Sequence, residues 1–165
     1  MLRRIVLLTP AALALSACGF QLRQAPNFAF DEIYIAMPEQ SSLGTELKRQ
    51  IAASGKVKVI TDPKQAAEAP VTLDGLLDQR EKVVVGLNTA GQVREFQLRV
   101  RFKFRLRGRE GKPLIGDTEI LQQRDISFNE SAVLAKEAEE ALLYRDMQSD
   151  IVQQVMRRLA ALKEL

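Results

Sequence analysis

The chain contains no histidine, no tryptophan and one cysteine among its 165 residues, and its net charge is only +3, from 24 Lys+Arg against 21 Asp+Glu. Without histidine there is no Ser-His-Asp or Cys-His catalysis, no His-ligated zinc and no imidazole switch near neutral pH. A single cysteine closes no intrachain disulfide and builds no Cys-rich metal site. So mild a charge does not make a nucleic-acid binder. The sequence has no Gly-x-Ser-x-Gly elbow, no P-loop, and no Gly-x-Gly-x-x-Gly followed by an acidic residue. Its acidic pair Asp74 and Asp78 carries no readable carboxylate separation, the quantity that glycosidase chemistry turns on. No catalytic residue, metal site or cofactor is expected. What is present, 46% hydrophobic and 27% charged, is the composition of one ordinary globular domain.

Apolar runs of the roughly 20 residues that span a bilayer as a helix are also missing. A shorter run, Ile5 to Leu15, is interrupted only by Thr9 and Pro10 and follows the basic start Met1-Leu2-Arg3-Arg4. That is the pattern of a secretory signal. It ends in Leu15-Ser16-Ala17-Cys18, a small-residue cleavage site followed at once by the chain's one cysteine, as in the bacterial lipobox. Residues 1–17 are expected to be a lipoprotein signal peptide, 18–30 a lipidated tether, and 31–165 the folded domain. Each buried acyl CH₂ contributes about 0.8 kcal/mol, and stable anchoring takes more than one chain, which a triacylated Cys18 supplies. Gly19 rather than Asp follows the cysteine, which favours the outer membrane. Loss of Arg3 and Arg4 with the signal removes most of the basic excess, so any function built on positive charge needs a local cluster.

The period of the apolar positions then gives the elements. Ile33, Ile35 and Met37 alternate with Tyr34 and Ala36 in a short strand that Pro38 ends. Ser41 or Ser42 is placed to cap a helix carrying Leu43, Leu47 and Ile51 on one face, with Gly55 just beyond it. Val57 and Val59 mark a second short strand, and residues 64–70 a connector. From Val71 to Phe128 the period is two. Long strands are expected over Val71–Leu87, bent near Gly75, then Val93–Arg107 and Ile115–Phe128, joined by turns at Asn88–Gly91 and Gly108–Pro113. Asn129 is expected to cap a last helix running to about Leu162, with Leu143, Met147, Ile151, Val155, Leu159 and Leu162 on its core face. The order predicts an α+β fold, a two-layer α/β sandwich whose mixed, mostly antiparallel sheet carries two helices on one face.

The strand from Val93 puts Phe96, Leu98, Val100, Phe102, Phe104 and Leu106 on one side and Arg99, Arg101, Lys103, Arg105 and Arg107 on the other. Side chains two apart are about 6.6 Å apart along a strand, so the cations form a stripe roughly 26 Å long, only partly screened at a Debye length near 8 Å. Something anionic must compensate it: carboxylates of adjacent strands such as Glu81 and Glu119, a partner, or a polyanionic ligand. Outside the cytoplasm the abundant polyanion is lipopolysaccharide with its phosphorylated lipid A; nucleic acid is not expected there.

Two segments bear a family resemblance. Cys18-Gly19-Phe20-Gln21-Leu22-Arg23, and Leu134 to Leu159 (LAKEAEEALLYRDMQSDIVQQVMRRL), resemble the LptE (RlpB) lipoproteins of lipopolysaccharide assembly in Gram-negative outer membranes. The resemblance implies a two-layer α/β sandwich, a place as plug inside the β-barrel protein LptD, and help in passing lipopolysaccharide to the outer leaflet. It also implies lipopolysaccharide contact by Lys136, in the Leu134-Ala135-Lys136 segment. Gln24 stands where the family often has glycine, and the turn Thr89-Ala90-Gly91 lacks the basic residue that some relatives carry. The expected lipopolysaccharide-binding residues are therefore Arg99, Arg101, Lys103 and Arg105 with Lys136. The rival readings are an accessory periplasmic lipoprotein of another envelope transport system and, more remotely, a lipid-anchored hydrolase.

Substituting Cys18→Ala should abolish acylation and leave precursor or soluble protein, while the domain still folds because Cys18 precedes every expected element. Metabolic labelling with a fatty-acid probe reads this directly; a wild-type chain that takes up no label removes the lipoprotein reading.

Overall fold

The structure, a computed structural model, describes residues 26–165. The expected signal peptide, Cys18 and residues 19–25 lie outside the described residues. Two short strands and a helix come first: β1 Glu32–Ala36, α1 Ser42–Ala53 and β2 Lys58–Ile60. Ser41 caps α1, its Oγ accepting from the Gly44 amide at 2.9 Å, an arrangement worth about 1 kcal/mol. Leu43, Leu47 and Ile51 are buried on one helix face. Gly55, just past the helix, takes φ +73°, a left-handed conformation that costs glycine nothing.

Three long strands follow, β3 Val71–Leu87, β4 Val93–Gly108 and β5 Pro113–Ser127, and then α2 Val133–Ala160. The sheet order is β2-β1-β3-β4-β5. β1 runs parallel to β2 and to β3, whereas the longer β3–β4 and β4–β5 pairs are antiparallel. Both helices lie on one side of the sheet, packed on each other and on the strands. This is the expected α+β sandwich. Its centre is the inner side of β4, where Leu98, Val100, Phe102, Phe104 and Leu106 are each at most 1% exposed. The inner side of α2, Met147, Ile151, Val155 and Leu159, closes over it.

Three details differ from the expectation. Asn129 caps a 3₁₀ turn, Glu130–Ala132, by accepting from the Ser131 amide, and α2 begins only at Val133. Phe28 and Phe30, at the end of the expected tether, stack with ring centroids 5.2 Å apart and join the core; an extended chain puts alternate residues on one side. The third difference is one of phase. β3 contains a bulge between Gly75 and Leu77, and an extra residue moves every later side chain to the opposite face. Before the bulge Val71 and Leu73 are buried. After it Asp78, Arg80 and Lys82 stand opposite Phe102, Val100 and Leu98 on the helix side, and Leu77, Gln79 and Glu81 stand opposite Lys103, Arg101 and Arg99 on the outside.

Gly75 is also a close-approach site: a Cβ there would lie 2.6 Å from Met37 Cγ. Gly75→Ala should therefore destabilise the domain by roughly 1–3 kcal/mol through overpacking, lowering the melting temperature by a few degrees. Gly116→Ala, where a Cβ would meet nothing within 4 Å, is the control and should melt within about 0.5 kcal/mol of wild type. An unchanged midpoint for Gly75→Ala would mean that Met37 moves aside freely.

Candidate functional site

The alternation of β4 places the five expected cations together on the outer side of the sheet, away from the helices. Carboxylates of the neighbouring strands hold four of them. Arg101 pairs with Glu119 at 3.0 Å and approaches Glu81 at 4.0 Å. Lys103 pairs with Asp117 at 2.9 Å. Arg105 and Arg107 share Asp74, at 2.8 and 2.6 Å. Arg99 has no carboxylate partner among the described residues; its Nε donates to Gln97 Oε1 at 2.7 Å. The compensation expected from Glu81 and Glu119 is thus present, and Asp74 and Asp117 extend it. The bulge also parts Asp74 from Asp78. Asp74 faces the arginines on the outside, and Asp78 accepts from Ser41 Oγ at 2.7 Å on the helix side.

Asp74 is the most enclosed carboxylate of the outer face, its side chain 13% exposed. The hydrogen bond from Arg107 holds its carboxyl below the usual range; burial acts against this, and Arg105 adds to it. Reciprocally, the Asp74 carboxylate raises the Arg107 guanidinium.

Lys136 lies elsewhere. It sits in the first turn of α2, where its Nζ donates to Ser127 Oγ at 3.0 Å and pairs with Glu139 at 2.9 Å. It lines a cavity of ≈ 250 Å³ with Phe96, Ile126 and Phe128, on the helix side of the sheet. Arg99, Arg101, Lys103 and Arg105 therefore form one surface, and Lys136 belongs to another.

A larger cleft, ≈ 620 Å³, opens between β3 and the N-terminal half of α2, and sequence reasoning missed it. Its floor is Arg80. The Arg80 Nη2 donates to Gln148 Oε1 at 2.7 Å and to Ser42 Oγ at 3.0 Å, and the guanidinium lies 5.5 Å above the Tyr144 ring centroid. Lys82 pairs with Glu140 at 2.6 Å over the Phe96 ring. Burial, with the Glu140 charge second, raises the Tyr144 hydroxyl, which donates to the Glu81 carbonyl at 2.7 Å. The one sequence signal near it was Gly75 itself, which marks a bend but not the inserted residue that turns Arg80 and Lys82 to the helix side.

Among the described residues no group of His, Cys, Asp or Glu is arranged to hold a metal ion, and no helix is long and apolar enough to cross a membrane.

Because the folded Asp74 carboxyl titrates below its unfolded value of about 3.9, its stabilisation is present above that value and is lost as pH falls through the folded pKa. Asp74→Asn should cost about 1 kcal/mol at pH 7, a figure discounted because both guanidinium groups are more than a third exposed. The difference from wild type should shrink at pH 3. Denaturant titrations at the two pH values measure it; equal differences at both would show that the charge of Asp74 contributes nothing.

Comparison with known proteins places these surfaces in a family. Residues 30–159 match the family model of LptE, lipopolysaccharide-assembly. The solution structure of an uncharacterized lipoprotein B from Nitrosomonas europaea is 36% identical with a TM-score of 0.73, the match covering 87% of this chain and 91% of that one. The rare lipoprotein B from Shewanella oneidensis (20% identity, TM-score 0.64, 79% and 95% covered) and a minor lipoprotein from Acinetobacter baumannii (19%, 0.63, 82% and 94%) share the fold. No curated protein matches in sequence. A family match across most of the domain, with a relative more than a third identical along nearly the whole chain, makes this protein a member of the LptE family of lipopolysaccharide-assembly lipoproteins.

Proposed function

We propose that this chain is an outer-membrane lipoprotein, anchored through acylated Cys18, that works with an LptD-like β-barrel to assemble lipopolysaccharide at the outer membrane surface, serving both as barrel plug and as a lipopolysaccharide-binding component. Family membership over residues 30–159 carries the reading. The polarity of the domain supports it. The chain enters the fold beside the C-terminal end of α1, where Asn27 Oδ1 accepts from Lys56 Nζ. Tyr34 of β1 stands beside Thr72, and β3 runs on from there to Leu87, on the order of 50 Å at about 3.3 Å per residue. The residues from Cys18 to Asn27 reach at most about 35 Å when fully extended. A tether of that reach does not carry Cys18 to the tip of the β3–β4 hairpin, which leaves the tip free to stand clear of the anchor, as a plug in a barrel would.

The lipopolysaccharide contacts are assigned to Arg99, Arg101, Lys103 and Arg105 on the outer face and to Lys136 on the helix side. Purification in mild detergent should bring down a large, heat-modifiable barrel protein; its consistent absence would favour an accessory lipoprotein of another envelope transport system. Arg101→Glu combined with Lys103→Glu should weaken lipid A binding several-fold, and raised salt should weaken wild-type binding. Melting curves accompany the assay, because these substitutions also break the pairs with Glu119 and Asp117. Unchanged binding by a folded double variant would remove the outer face from the ligand site and leave the barrel assignment standing.

A further inference from the structure

Arg80 differs from the four ion-paired cations of the outer face and resembles Arg99 only in lacking a carboxylate partner among the described residues. It forms no ion pair; both of its hydrogen bonds go to neutral oxygens, and both come from Nη2. A guanidinium has five N–H donors in a rigid fork, so those on Nε and Nη1 have no partner among the described residues. Gln148 is itself fixed. Its Nε2 donates to Glu46 Oε2 at 2.6 Å, and it is buried to 7% exposure. The Tyr144 ring packs under the guanidinium. Arg80 is thus an exposed full charge, held in place by neutral groups at the edge of a cleft of ≈ 620 Å³.

The rest of the lining points the same way. The exposed Arg145 makes no hydrogen bond or ion pair among the described residues, and it lines the same cleft. Of the two carboxylates there, Glu140 is already neutralised by Lys82. Glu137 is unpaired among the described residues, as Arg145 is.

We infer that this cleft is a second anion site, one that takes a phosphate group either free or carried on a lipid headgroup, with Arg80 as its fixed donor and Arg145 as its second cation. The site rests neither on the barrel partnership nor on the outer-face cations, so it stands or falls separately from both. Phosphate suits it because the guanidinium fork matches tetrahedral oxyanions, and the charge-assisted bonds are about twice as strong as neutral ones.

The test uses the full lipidated chain in neutral-detergent micelles. The chain has two tyrosines and no tryptophan, so in a Tyr34→Phe background the intrinsic fluorescence reports Tyr144 alone. One arm titrates inorganic phosphate; the other titrates micelles doped with phosphatidic acid. A saturable response to either supports the site. A response to phosphate identifies the free anion as sufficient, and a response to phosphatidic acid alone identifies a lipid-borne phosphate. Arg80→Gln should weaken binding about tenfold and Arg145→Gln about threefold. Arg49→Gln, on the exposed side of α1 and without a partner among the described residues, should leave it unchanged. If Arg80→Gln fails to fold, Arg145→Gln decides, since it has no bond to lose. No saturable response to either probe, or undiminished binding by folded Arg80→Gln or Arg145→Gln, overturns the inference.

Discussion

Met37 lies against Gly75 so closely that the strand has no room for a side chain there, and at the same place β3 takes one residue more than β4. Every residue from Leu77 to Val84 inherits that offset. Had the alternation of Val71 and Leu73 continued unbroken, the side chains of Asp78, Arg80 and Lys82 would have joined the cations of β4 on the outer face. Instead they stand on the helix side, each still exposed, because a charged side chain is tolerated there only if the layer above stays open or supplies partners. Both conditions are met. Ser41, Gln148 and Glu140 provide partners, and the helix stands off far enough to leave a cleft. The bulge thus fixes both the sorting of charge between the two sides and the position of the cavity.

On the outer face the same offset leaves Glu81 beside Arg101, with Asp74 serving two arginines. Like charges at strand spacing repel, and the exposed pairs that relieve them contribute little stability each. They would still weigh on a polyanionic ligand. A polyanion approaching Arg101, Lys103 or Arg105 must exchange for a carboxylate already in place, so it gains only the difference between two charge-assisted contacts. Arg99, bound to a neutral amide, needs no such exchange. A protein surface whose own pairs can be traded in this way also suits a partner with a polar, mixed-charge wall.

The elements were legible in the sequence because each is a local periodicity. The period-two run of Phe96 to Leu106 and the four-residue spacing of Leu43, Leu47 and Ile51 state which side faces the core, and both hold in the fold. Asn88 and Gly91 marked the hairpin turn, where the Asn88 side chain accepts from the Ala90 and Gln92 amides. The bend at Gly75 was legible; the change of phase behind it was not, because a glycine in a strand does not say whether a residue has been inserted. The cleft was beyond reach for a different reason. Ser42, Arg80, Tyr144 and Gln148 come from three elements far apart in sequence, and only the register of β3 under α2 brings them together. The separation of Lys136 from the arginines has the same origin, since residue spacing says nothing about which side of a sheet a later helix covers.

The two halves of α2 express this division of labour. From Met147 onward its inner positions are fully enclosed, whereas Leu134 is 83% exposed and Leu142 53% exposed. A helix gains most of its stability from packing an apolar face rather than from propensity. The first half therefore depends on a few polar ties: Lys136 to Ser127, Glu140 to Lys82, and Tyr144 to the Glu81 carbonyl. Such segments open at lower free energy than the core. The cleft sits directly beneath this weakly held half, and its floor is linked through Gln148 to Glu46 of α1. Any molecule that bridges Arg80 and the helix adds a tie where ties are few. Binding there would order the free end of α2, next to the hairpin tip, without disturbing the packed half that keeps the domain folded.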